Sequence, residues 1–151
     1  MDDVALMRRA LALARARLGR TGSNPAVGCV VSAQGGEVVA EAATAEGGRP
    51  HAEEQALAFA GEKARGGSAF VTLEPCAERS SGAPSCADRL IEAGVARVVV
   101  ACANPHGLSA GRGPERLRAA GVLVEEGLLA AEAQALYAEF LSALAAPAAS
   151  R

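Results

Sequence analysis

The spacing of apolar residues changes period several times along the chain. Val4 to Leu18 repeats apolar positions at helical spacing, with arginines left for a solvent face, and this pattern ends near Gly19. Val27 to Ser32 and Glu37 to Glu41 are rich in valine and flank the turn residues Gln34-Gly35-Gly36. This arrangement predicts a first helix followed by a β-hairpin.

The rest of the chain alternates helical and strand patterns. Pro50-His51 opens an alanine-rich helical stretch that runs to about Lys63, because proline is favoured at a helix start. The other predicted elements are strands at Ala69 to Leu73, Arg97 to Ala101 and Val122 to Glu125, and helices from about Ser85 to Ala93, Pro114 to Ala120 and Leu129 to Leu144. The alternation favours a layered α/β domain.

A chain of 151 residues, half of them hydrophobic, is long enough for one well-packed domain. We expect that domain to span residues 1–144 and the tail, residues 145–151, to be frayed. One Tyr, three Phe and no Trp are present, so Ala, Val and Leu must build most of the core.

Composition argues against several classes of function. The formal net charge is −2 and neither sign forms a long block, which does not favour nucleic-acid binding. Neither a secretory signal nor an apolar run of membrane-spanning length is present, so we expect a cytoplasmic protein without membrane contact. Its four cysteines are then thiols, used as ligands or core residues.

One group of residues has the chemistry of a catalytic metal site. His51 and Glu53 fall at a predicted helix start, Cys76 follows a strand, and Cys86 begins the next helix. One imidazole and two thiolates suit zinc, and three protein ligands leave the fourth position for water. Because residues two apart do not share a helix face, His51 and Glu53 can converge only around the amino-terminal end of the helix.

This set predicts a hydrolytic reaction. Zinc lowers the pKa of a bound water towards neutrality, which allows attack on an amidine-type ring carbon. Glu53 would transfer protons from that water to the ring nitrogen and to the departing ammonia. His-x-Glu with Pro-Cys-x-x-Cys is the pattern of zinc deaminases, whereas nine residues separate Cys76 from Cys86 here.

The longer spacing has a counterpart in a known family. Five segments occur in this order along the chain: Ser23-Asn24-Pro25-Ala26-Val27-Gly28, Gly48-Arg49-Pro50-His51-Ala52-Glu53, Thr72-Leu73-Glu74-Pro75-Cys76, Cys86-Ala87-Asp88 and Ala110-Gly111-Arg112-Gly113. Through these motifs the chain resembles the deaminase domain of the bifunctional riboflavin-biosynthesis deaminase/reductase, from about Ala5 to Phe140.

The resemblance implies a cytidine deaminase-like three-layer α/β/α sandwich with a mixed five-stranded sheet. It places zinc on His51, Cys76 and Cys86 and gives Asn24 a substrate contact. It also implies a homo-oligomer, dimer or tetramer, that acts on a small heterocyclic substrate. The family's reductase domain has no counterpart in this sequence, so we expect another protein to perform any reduction.

Several positions depart from the family pattern. Glu78 and Gly82 replace a family histidine and a basic residue between the two cysteines, and Arg79 could take over the basic role. Thr44 replaces another histidine. Asn104-Pro105-His106 replaces Asp-Pro-Asn, so Asn104 and His106 are expected substrate contacts. These changes predict weaker binding of the phosphorylated aminopyrimidine than in a typical family member.

Other interpretations stay open on the sequence alone. The enzyme could edit a nucleic-acid base, although few aromatic residues are available for stacking. The chain could also be a zinc-stabilised interaction protein without activity, against which the intact Glu53 argues. Gly111-Arg112-Gly113 could bind an anion or form a turn. Cys29 and Cys102 are expected in the core, and Glu54 and Arg65 as solvated helix charges.

Overall fold

The computed structural model describes residues 2–77, 84–103 and 111–145, with side chains up to residue 142. The regular elements, in chain order, are α1 (Asp3–Arg15), β1 (Gly28–Ser32), β2 (Val38–Ala43), α2 (Ala52–Ala60), β3 (Ser68–Leu73), α3 (Cys86–Ala93), β4 (Arg97–Cys102), α4 (Arg112–Ala119), β5 (Leu123–Glu126) and α5 (Ala130–Ala145). Two short 3₁₀ helices, Glu46–Gly48 and Gly61–Ala64, precede and follow α2.

The five strands form one mixed sheet in the order β2-β1-β3-β4-β5. Strand β1 is antiparallel to both β2 and β3, whereas β3, β4 and β5 are parallel to one another. Helix α3 connects β3 to β4 and helix α4 connects β4 to β5, because parallel neighbours need a crossover connection. The predicted α/β fold with a mixed five-stranded sheet is therefore confirmed.

Two layers of helices cover this sheet. Ion pairs Arg8–Glu132 and Arg15–Glu139 join α1 to α5 in one layer, while α2, α3 and α4 pack side by side in the other. The core between the layers is built mainly from alanine, valine and leucine, as expected, and Phe70 and Tyr137 add its largest buried side chains. Among the described residues, no helix has the length and apolar character needed to cross a membrane.

The predicted elements agree with the observed ones to within a few residues. The largest differences are at the carboxyl ends of α1 and α2, which stop at Arg15 and Ala60 rather than near Leu18 and Lys63. Helix α2 ends where Gly61 takes a φ of 55°, and the chain then tightens into a 3₁₀ turn. A positive φ interrupts the α-helical hydrogen-bond ladder and is easily adopted by glycine.

Candidate active site

Several segments meet at one edge of the sheet. In the antiparallel pairs, Gly28 lies opposite Ala43 and Cys29 lies opposite Val71. The residues before β1 therefore lie beside those that follow β2 and β3. Helices α2 and α3 also begin here, at the edge where the carboxyl ends of parallel strands form the usual binding crevice of open α/β sheets.

The structure brings the three predicted ligands together at this edge. His51 is the N-cap residue of α2, Cys86 is the first residue of α3, and Cys76 follows β3. One ligand atom from each lies within 4.8 Å of the others. His51 Nδ1 is 3.3 Å from Cys86 Sγ, and the Cys86 amide donates a hydrogen bond to Cys76 Sγ at 3.2 Å.

This donor set fits a zinc ion. Two sulfurs and one imidazole nitrogen at such separations match three corners of a tetrahedron with bonds of about 2.0 to 2.3 Å. The hydrogen bond from the Cys86 thiol, together with His51 and the Cys86 amide, lowers the pKa of Cys76 to about 4. The Cys76 thiolate and burial in turn raise the pKa of Cys86. The two sulfurs and the imidazole are close enough to bind one metal ion together.

Glu53 lies in the first turn of α2, beside this triplet. Only 3% of the residue is exposed, and burial raises the pKa of its carboxyl to about 7. Glu53 and the three predicted ligands line a cavity of about 140 Å³. The other residues that line it are Asn24, Pro25, Val27, Thr44, Leu73, Glu74 and Pro75. A carboxyl group of this kind, enclosed beside a metal-ligand set, is typical of an acid–base catalyst.

Asn24 and Thr44 form one wall of the cavity. Their hydrogen bonds within the protein determine which of their polar atoms can still bind a ligand. Asn24 Nδ2 donates to the Gly48 carbonyl at 2.9 Å, which leaves Asn24 Oδ1 as an acceptor without a partner among the described residues. Thr44 Oγ1 accepts from the Val27 amide and donates to the Pro25 carbonyl at 3.3 Å. Its single proton is therefore used within the wall.

A buried hydrogen-bond chain supports this wall from behind. The Gly28 amide donates to Thr72 Oγ1, the Thr72 hydroxyl is 2.8 Å from the Tyr137 hydroxyl, and Tyr137 donates to the Ala26 carbonyl. Because an amide can only donate and a carbonyl can only accept, the direction of all three bonds is fixed. Helix α5 is thereby connected to the segment that carries Asn24.

Helix α4 supports the opposite side of the site. The Gly111 amide, at the N-cap of α4, donates to both carboxylate oxygens of Glu74 at 3.0 and 3.1 Å. Gly113 packs so closely on Pro75 that a Cβ there would lie 1.7 Å from the Pro75 carbonyl oxygen. The anion at this helix start is thus the protein's own Glu74, which favours the turn interpretation of this motif over a ligand site.

Glu54, which was expected to be a solvated helix charge, has a largely buried side chain. Only 16% of the Glu54 side chain is exposed, and it pairs with Arg89 of α3, so the expectation of a solvated charge was wrong. Arg65, by contrast, is exposed beside Glu62, and Cys29 and Cys102 are buried, as expected. Arg79, Asn104 and His106 lie outside the described residues, and their substrate roles stay predictions.

The comparison with protein families matches residues 1–102 to the cytidine and deoxycytidylate deaminase zinc-binding region. The chain belongs to this family. This deaminase family and the His/Cys/Cys cluster confirm the expected hydrolytic deaminase and its zinc dependence.

Two individual relatives show which members of the family this chain is similar to. The chain is 48% identical over 141 residues to the riboflavin biosynthesis protein RibD of Escherichia coli. The matched region covers 93% of this chain but 38% of that protein. It is 40% identical over 134 residues to the diaminohydroxyphosphoribosylamino-pyrimidine deaminase of Buchnera aphidicola from Acyrthosiphon pisum, with 89% of this chain and 90% of that protein covered.

A solved structure confirms the fold. The RibD protein of Acinetobacter baumannii superimposes with a TM-score of 0.86 at 43% identity, covering 94% of this chain and 40% of that one. The chain thus spans less than half the length of the E. coli and A. baumannii proteins. The resemblance to the deaminase part of riboflavin-biosynthesis proteins is confirmed.

Proposed function

We propose that this chain hydrolytically deaminates an aminopyrimidine of the riboflavin-pathway type, with zinc held by His51, Cys76 and Cys86. The observation that carries the proposal is the buried Glu53 carboxyl beside these three ligands, all lining one cavity. When bound, zinc supplies activation of a water molecule for attack on the ring carbon that bears the amino group.

Glu53 is the proton carrier of the proposed reaction. Its position in the first turn of α2 keeps it next to His51, and enclosure keeps bulk water from competing for its proton. The carboxylate accepts a proton from the attacking water and delivers it to the ring nitrogen. A second proton then passes through the same group to the departing ammonia.

Asn24 is the proposed contact with the pyrimidine. Its amide nitrogen donates one proton to the Gly48 carbonyl, and its Oδ1 is an acceptor that faces no donor among the described residues. That acceptor suits a ring N–H or an exocyclic amino group. Thr44 contributes shape to this wall, because its hydroxyl proton is directed to Pro25.

Arg79, Asn104 and His106 are proposed to contact the remainder of the substrate. A phosphate held by an arginine makes a charge-assisted hydrogen bond whose loss costs about 1.5 to 3 kcal/mol, or roughly ten- to a hundred-fold in affinity. We retain the sequence-based prediction that Arg79 is the basic residue available for such a phosphate. The net charge of −2 and the small number of aromatic residues favour a small-molecule substrate over nucleic acid.

The test is an ammonia-release assay on the zinc-loaded protein with the aminopyrimidine ribose phosphate and its dephosphorylated form. Ammonia from at least one of these compounds supports the proposal, and no ammonia from either would contradict it. If Arg79 holds the phosphate, Arg79→Ala should raise KM for the phosphorylated compound about tenfold or more. Arg65→Ala is the matched control, since Arg65 is an exposed arginine that pairs with Glu62.

A further inference from the structure

Helices α2 and α3 are joined by an ion pair one turn beyond the proposed metal ligands. Glu54 lies three residues after His51 in α2, and Arg89 lies three residues after Cys86 in α3. Glu54 Oε2 is 3.4 Å from Arg89 Nη2. The two helices therefore contact each other twice in the same order, first through His51 and Cys86 and then through Glu54 and Arg89.

Glu54 is also connected directly to a ligand residue. Its other carboxylate oxygen, Oε1, accepts a hydrogen bond from the His51 amide at 3.3 Å, which completes the capping box of α2. His51 takes an extended conformation at this N-cap, with φ −69° and ψ 159°. A displacement of Glu54 is therefore transmitted to the backbone that aims the imidazole.

Arg89 depends on Glu54 for its position. Its Nε is buried, and no described residue accepts a hydrogen bond from that atom. Since the side chains of Arg89 and Glu54 are only 34% and 16% exposed, the pair is less screened than an ordinary surface pair.

We propose that Glu54 and Arg89 are positioning residues that fix the separation of His51 and Cys86 and so determine the affinity of the site for zinc. The inference rests on the ligand set of the proposed function. It goes beyond that set by assigning the spacing of the ligands to two residues that bind neither metal nor substrate. Residues that orient metal ligands typically change metal affinity ten- to a hundred-fold when they are replaced.

The test measures zinc affinity by competition with a chromophoric chelator, and the thiolate and d–d absorption bands of the cobalt-substituted protein. Glu54→Gln keeps an oxygen for the His51 amide but removes the charge, and Arg89→Met removes the partner. Positioning predicts that both variants weaken zinc binding about tenfold or more and shift the cobalt bands. The double variant should be no weaker than the weaker single variant, because one contact is lost in each case.

Electrostatics alone predicts a different result. Removing an anion near the metal weakens binding, but removing a cation strengthens it, so Glu54→Gln and Arg89→Met would then have opposite signs. Tighter or unchanged zinc binding by Arg89→Met would overturn the proposal. Arg89→Lys gives a second answer if that variant does not fold, because the charge is kept while the guanidinium that meets Glu54 is lost. Positioning predicts weaker binding for it, and parental affinity would again overturn the proposal.

Arg118→Gln is the matched control, because Arg118 pairs with Glu126 at 3.1 Å and joins α4 to β5, neither of which carries a proposed ligand. It should keep parental affinity and cobalt bands. Equal loss in this control would assign the effect to general destabilisation and overturn the proposal. Failure of the unaltered chain to bind zinc would instead overturn the proposed function on which the inference depends.

Discussion

Replacement of Gly113 by alanine should expel the metal from the site. A Cβ at this position would lie 1.7 Å from the Pro75 carbonyl oxygen and 2.9 Å from the Pro75 carbonyl carbon. Cβ contacts shorter than 3.0 Å are essentially never seen, so α4 and the Pro75 segment must separate by about 1.3 Å. Metal–ligand bonds tolerate deviations of only about 0.2 Å. A shift of that size next to Cys76 is therefore large enough to break the ligand geometry.

The direction of the stability change in Gly113→Ala distinguishes two effects, overpacking against Pro75 and the higher helix propensity of alanine. Alanine in a helix is more favourable than glycine by about 1 kcal/mol, so propensity alone predicts a more stable protein. Overpacking against a fixed carbonyl costs about 1 to 3 kcal/mol or more and predicts a less stable one. We expect the second effect to dominate in urea unfolding, because the overlap involves backbone rather than a flexible side chain.

The assay is zinc content per chain after dialysis against a weak chelator, followed by urea unfolding of the same samples. Gly35→Ala is the matched control, since a Cβ at Gly35 meets nothing within 4 Å. We expect parental zinc content in the control and substantial loss in Gly113→Ala. Full zinc content in Gly113→Ala, with stability equal to or above that of the control, would refute the argument.

Two further predictions concern stability. Tyr137→Phe leaves the Ala26 carbonyl and the Thr72 hydroxyl without their buried partner, and should lower the free energy of unfolding by about 1 to 3 kcal/mol in urea titrations; an unchanged value would contradict this chain of bonds. Arg97 lowers the pKa of Asp3 below its usual 3.8, so this pair stabilises the fold above that pH and the contribution is lost on acidification through the lowered value. Asp3→Asn should therefore be less stable than the parent at pH 6, and the two proteins should become equally stable below the lowered pKa of Asp3. A difference in stability that does not change with pH would contradict the assignment.

Local patterns predicted the helices, the strands and the proposed zinc ligands, whereas the mixed five-stranded sheet was predicted from the family resemblance. Helices and strands follow from the period of their apolar positions, and the cysteines and histidine belong to short motifs at element boundaries. Each of these signals is contained within a few neighbouring residues. The structure then adds their convergence at one edge of the sheet.

Contacts between distant segments could not be predicted in the same way. Glu54 and Arg89 are 35 residues apart on different helices, so the sequence offers no spacing that would pair them. The contacts of Glu74 with Gly111 and of Tyr137 with Ala26 likewise depend on how helices dock against the sheet. The roles of Arg79, Asn104 and His106 rest on the family resemblance, and they stay predictions.

The central claim is that this chain is a zinc-dependent deaminase in which Glu53 transfers the protons. The most direct test compares ammonia release from an aminopyrimidine by the parent and by Glu53→Gln at equal zinc content. Glutamine has nearly the same volume but cannot carry the proton, so kcat should fall by roughly a hundredfold or more while zinc stays bound. Parental turnover by Glu53→Gln would contradict the account and require another residue for proton transfer.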